Sequence, residues 1–121
     1  SARGTGTRIE LRCPDSAANP YLALAACLAA GLDGIKKEMK APESLEGNVF
    51  TMKEESLTEK QVPFLPRTLG EAIYAFEQDE FIKDILGDHI FKQYLEAKKK
   101  EWKQFCAAVT DWELNDYLYR Y

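Results

Sequence analysis

The chain is poor in the residue types that most often carry chemistry in a small protein. Its 121 residues include one histidine, His89, and three cysteines, Cys13, Cys27 and Cys106, none of them in a Cys-x-x-Cys spacing. That excludes a zinc ribbon or a redox dithiol, and an odd number of thiols leaves one over under any pairing. Each cysteine falls in an apolar pattern, so the expectation is three buried structural thiols in a reducing compartment. His89 is expected to cap or pack rather than to catalyse. No glycine-rich phosphate loop is present. The longest apolar run extends only from Tyr21 to Leu32, short of the roughly 20 residues that span a bilayer, and no signal-peptide pattern opens the sequence. A soluble, cytoplasmic chain with no membrane partner is expected. Positive charge is scarce as well. Lys and Arg number 16 against 20 Asp and Glu, a net charge of -4, which argues against a general nucleic-acid surface. The run Lys98-Lys99-Lys100 is bracketed by Glu96 and Glu101 and reads as a solvated helix face.

What is there is punctuated by strong local signals. Residues 1–7 form a loop containing Gly4 and Gly6. Arg8 to Cys13 then alternates, with Ile9, Leu11 and Cys13 on one side and Arg8, Glu10 and Arg12 on the other, which is the period of a half-buried strand. No second stretch alternates comparably, so that strand lacks an evident partner in the sequence. Asn19 is a good N-cap and Pro20 suits the first helical position. The helix they open is apolar on every side and rich in alanine, the pattern of a helix buried all round. It is expected to end near Gly34-Ile35-Lys36-Lys37. A long connection containing Pro42, Pro63 and Pro66 follows. Thr68-Leu69-Gly70-Glu71 has the form of a capping box, Asp79 caps the next turn, and Gly87-Asp88 separates it from a longer helix. Thr110-Asp111-Trp112-Glu113 repeats the capping-box pattern before a terminal helix with Trp112, Tyr117, Leu118 and Tyr121.

The charged side of the Arg8–Cys13 stretch is where chemistry concentrates. On an extended backbone Glu10 lies about 6.6 Å along the chain from both Arg8 and Arg12, with all three side chains on one face. Either arginine can reach it. Two readings are open on spacing alone. One is a salt-bridged strand face. The other is a cation-and-phosphate site, since a carboxylate can hold Mg²⁺ or Mn²⁺ and two guanidinium groups can grip phosphate or carboxylate oxygens in forked hydrogen bonds. No nearby acidic pair is present to complete a metal shell.

The sequence Arg8-Ile9-Glu10-Leu11-Arg12-Cys13-Pro14-Asp15, followed by Ala18-Asn19-Pro20-Tyr21-Leu22-Ala23 and Leu28-Ala29-Ala30-Gly31-Leu32-Asp33-Gly34-Ile35, closely resembles the C-terminal part of the catalytic domain of type I bacterial glutamine synthetases. Pro66 to Ile73, Glu96 to Trp102 and Trp112 to Tyr121 are also similar to that family's helical tail. The resemblance implies a fold class that is mainly α with a short N-terminal β element, divided into a loop and active-site strand (1–18), a buried helix (19–37), a long loop (38–67) and a helical tail (68–121). It implies that Glu10 is a ligand of a divalent metal, Mg²⁺ or Mn²⁺, that Arg8 contacts nucleotide phosphate, and that Arg12 binds substrate glutamate. The parent enzyme would join glutamate and ammonia using ATP through γ-glutamyl phosphate. It would form a homo-oligomer, a dodecamer of two hexameric rings. The family's other metal-binding residues lie upstream of this motif, so the piece alone is expected to bind no cofactor and to be inactive, with no catalytic residue of its own. A γ-glutamyl-polyamine or other γ-glutamyl-amide ligase of the same superfamily and a helical subunit-interaction module are the alternatives. In family members controlled by adenylylation, a tyrosine stands where Phe50 falls here, so the resemblance is closer to the subgroup without that control.

Overall fold

Four helices carry the order in this computed structural model, which describes residue 4 and residues 6–48, 51–52 and 62–120. They are α1 (Pro20–Lys36), α2 (Leu69–Gln78), α3 (Glu80–Ala107) and α4 (Asp111–Tyr117). The chain is mainly helical, as expected. No β-ladder occurs among the described residues, and Arg8–Cys13 lies outside any helix or ladder. The short β element therefore has no partner strand among them, consistent with a sequence in which nothing else alternates. The chain divides into two units, Ser1–Leu65 and Pro66–Tyr121.

In the first unit, the local signals work as their chemistry dictates. Asn19 Oδ1 accepts hydrogen bonds from the Tyr21 and Leu22 N–H groups at 3.0 and 3.3 Å, and Pro20 at the start of α1 has no N–H to leave unsatisfied. At the other end Glu38 N–H reaches Ile35 O at 3.1 Å and Met39 N–H reaches Gly34 O at 2.9 Å. These paired bonds close a Schellman motif. Its left-handed position is held by Glu38, at φ 50°, rather than by a glycine. The Lys37 Nζ pairs with Asp33 at 2.8 Å one turn back.

Burial corrects the reading of α1. The helix has no buried residue, and Tyr21, Leu24, Leu28 and Ile35 are each at least two-thirds exposed or close to it. The reason is physical: an apolar pattern on all sides shows that a helix wants cover, not that the same chain supplies it. The cysteines are corrected on the same ground, since Cys13, Cys27 and Cys106 are all exposed.

The second unit has a small core between α2 and α3. Ile73 and Phe91 are buried. The Phe76 ring stacks on Phe91 at 4.8 Å between centroids and meets Tyr94 at 5.5 Å. Glu77 and Lys99 join the two helices at 2.5 Å. Near the start of α2, a Cβ on Gly70 would stand 2.8 Å from the Trp102 indole, so this close approach of backbone to ring requires glycine. Thr68 caps α2 through its hydroxyl, which accepts from Glu71 N–H at 3.1 Å. The reciprocal half of the box is displaced by one residue, with Glu71 Oε2 accepting from the Arg67 N–H at 2.7 Å. Asp79 Oδ1 caps α3 by accepting from Ile82 N–H at 3.1 Å. Gly87, at φ 72° and ψ 157°, breaks α3 internally, where the sequence places a boundary between two helices. At Thr110 the capping box before α4 is complete in both directions.

Candidate functional site

The candidate site is built on the extended segment that leads into α1. Glu10 is its centre. Its Oε1 accepts from Arg12 Nε at 2.6 Å, and Arg12 Nη2 contacts the same oxygen. Its Oε2 faces Arg8 Nη2 at 3.5 Å. Arg8 also points Nη1 at the Gly6 carbonyl, at the long distance of 3.5 Å. The triplet that spacing places on one face thus comes together, with one guanidinium on each carboxylate oxygen.

Exposure decides what these contacts do. The Arg8 and Arg12 side chains are 71% and 85% exposed, and that of Glu10 is 48% exposed. Ion pairs this wet contribute about 0–1 kcal/mol, so the triplet does little to hold the chain together. Arginine cannot shed its proton and presents a planar fork of donors. What this arrangement can do chemically is offer two such forks and one hard oxygen ligand to an incoming anion or cation.

Glu10 fits a Mg²⁺ or Mn²⁺ ion as one ligand, because such ions select carboxylate oxygen. The donor set ends there: among the described residues no three His, Cys, Asp or Glu side chains converge on a common point. The described residues by themselves do not fit a metal centre, which needs about six oxygen ligands around Mg²⁺.

Sequence reasoning missed a turn beside the triplet. Asp15 Oδ1 accepts from the Ala17 N–H at 2.7 Å, and the Asp15 carbonyl accepts from Ala18 N–H at 3.0 Å. The Pro14-Asp15-Ser16 sequence is a turn signal that was there to be read. Lys98 pairs with Glu101 at 2.7 Å and Lys99 with Glu77, as a solvated face would. His89 is exposed. Trp112 is 64% exposed and meets Tyr117 edge-on at 5.7 Å. Phe50 and Tyr121 lie outside the described residues.

The family model described as "Glutamine synthetase, catalytic domain" matches residues 1–117. The chain is 51% identical over 118 residues to the glutamine synthetase of Methanocaldococcus jannaschii, a match covering 98% of this chain and 26% of that protein. It is 48% identical over 118 residues to that of Methanococcus voltae, with the same coverage. To that of Clostridium saccharobutylicum it is 46% identical over 121 residues, or 100% of this chain and 27% of the relative. The chain thus spans about a quarter of the length of the curated relatives it matches.

Proposed function

Because the chain belongs to the glutamine synthetase catalytic-domain family, we propose that it is the C-terminal part of an ATP-dependent ligase that makes glutamine from glutamate and ammonia. The observation that carries the residue-level reading is the Arg8–Glu10–Arg12 cluster, held in a chain that the family model matches over nearly its whole length.

In the proposed reaction the γ-carboxylate of glutamate takes the γ-phosphoryl group of ATP and ADP leaves. Ammonia then attacks the γ-carbonyl carbon, phosphate departs, and a proton is lost from the new amide nitrogen. Such phosphoryl chemistry depends on positioning and on neutralising oxygen charge more than on covalent help from the protein. Arg8 grips nucleotide phosphate in this reading. Arg12 holds the substrate glutamate as its γ-carboxylate becomes an acyl phosphate. Glu10 supplies one oxygen ligand to a divalent cation, Mg²⁺ or Mn²⁺, which neutralises phosphate charge when bound. The rest of the metal shell and the nucleotide pocket come from the part of the enzyme outside this chain. The working enzyme is a cytoplasmic homo-oligomer in this reading.

The test is a glutamine-forming assay on the full-length protein with glutamate, ATP and either ammonia or polyamines. Turnover with ammonia supports the reading, and turnover confined to polyamines replaces it with a γ-glutamyl-polyamine ligase. An Arg12→Ala substitution is expected to lower kcat/KM for glutamate by about 100-fold or more, the scale of losing a charged donor at a reacting group. An unchanged kcat/KM would remove Arg12 from the site.

A further inference from the structure

Residues 13–19 join the substrate-binding arginine proposed above to α1, and their conformation is heavily specified. Pro14 fixes its own φ and restricts Cys13 before it. Asp15 closes the next turn twice, through Oδ1 to the Ala17 N–H at 2.7 Å and through its carbonyl to the Ala18 N–H at 3.0 Å. Asn19 then takes the Tyr21 and Leu22 N–H groups on one side-chain oxygen, and its carbonyl takes Ala23 N–H at 3.0 Å. Pro20 starts the helix. Asp15 is exposed, so its carboxylate is not needed to fill space, and its Oδ1 bond to the Ala17 N–H serves the turn.

We propose that Asp15 is a positioning residue for Arg12: by locking the turn at residues 15–18 it fixes the direction in which the Arg12 segment leaves α1, and so where the guanidinium meets glutamate. The proposal rests on the substrate role proposed for Arg12. A carboxylate accepting a backbone N–H makes a charge-assisted bond, stronger than a neutral one. Without it the connector between two fixed points, Pro14 and Asn19, regains backbone freedom that binding must remove again. The loss appears in substrate affinity rather than in the chemical step, because the Asp15 carboxylate acts within the turn, on the Ala17 N–H.

Steady-state kinetics of the full-length enzyme test this. Asp15→Ala is expected to raise KM for glutamate about five-fold, the scale of one net hydrogen bond, with kcat within about two-fold of the parent. Asp15→Asn keeps an Oδ1 acceptor without the charge and is expected to restore most of the KM, while Asp15→Ser, with a weaker acceptor, falls further toward Asp15→Ala. Faster amide exchange at Ala17 in the alanine variant, but not in the asparagine variant, would tie the kinetic effect to the turn. If Asp15→Ala leaves KM unchanged while Arg12→Ala raises it, the positioning role is wrong and the Arg12 assignment stands. If Asp15→Asn is as impaired as Asp15→Ala, an acceptor for the Ala17 N–H is not what Asp15 supplies, and the proposal is overturned. If Arg12→Ala itself leaves KM for glutamate unchanged, the substrate role of Arg12 falls and the positioning role falls with it.

Discussion

Glu10 contacts two arginines and yet holds nothing in place. Its partners are mostly in water, and exposed pairs of this kind are weak. Glu10→Gln is therefore expected to change the stability of the chain by less than about 0.5 kcal/mol, measured by urea unfolding, while abolishing most glutamine formation in the full-length enzyme. A large loss of stability would mark the triplet as structural. Glu38 makes the opposite case, a residue with no charged partner role that matters to the backbone. At φ 50° it occupies the left-handed position of the Schellman motif after α1. A side chain there costs roughly 1–2 kcal/mol, offset in part by the 0.4–1 kcal/mol of unfolded-state entropy that a new glycine adds. Glu38→Gly is expected to stabilise α1 by about 0.5–1 kcal/mol, read as slower amide exchange through Gly34 to Met39. Faster exchange would show that Glu38 makes a compensating interaction.

At the scale of the element, α4 is short and leans on its cap. The Thr110 backbone N–H, and after it the Thr110 hydroxyl, hold the Glu113 carboxyl below the usual glutamate value of 4.5. A carboxyl lowered in this way stabilises the folded helix fully above its unfolded value. That contribution fades as pH falls below 4.5 and through the lower folded value. Helix α4 is thus expected to fray selectively under acid, with its amide protection lost before that of α3. In Glu113→Gln the pH dependence of α4 protection should disappear. Retention of the same acid transition in that variant would assign it to another group. Elements like this one were legible in the sequence because a cap is a local event. Thr110 and Glu113 are three residues apart, as are Thr68 and Glu71, and Asn19, Asp79 and Gly87 likewise act on their immediate neighbours.

What the sequence did not disclose belongs to the whole molecule. The hydrophobic pattern of α1 is real, but its cover is a long-range matter, and Leu24 and Leu28 stand 69% and 66% exposed. The Arg8–Cys13 alternation likewise announces a strand whose hydrogen-bonding neighbours the described residues do not contain. The triplet's coming together was readable from the two-residue period. The Asp15 turn beside it was not singled out, though Pro14-Asp15-Ser16 signals it. A chain whose buried large side chains among the described residues are Ile73 and Phe91 leaves far more apolar surface open than soluble monomers ordinarily tolerate. On its own it is expected to self-associate, with sedimentation coefficients rising with concentration. A concentration-independent monomer would refute that. The exposed thiols turn this into something that can be followed in time. Cys13 sits one residue from Arg12, Cys27 midway along α1 and Cys106 near the end of α3, so the three sample the site, the bare helix and the tail separately. Their alkylation rates make a three-channel clock: in the full-length protein, a thiol that goes silent reports that its own neighbourhood has closed, and the order of any silencing gives the order of closure.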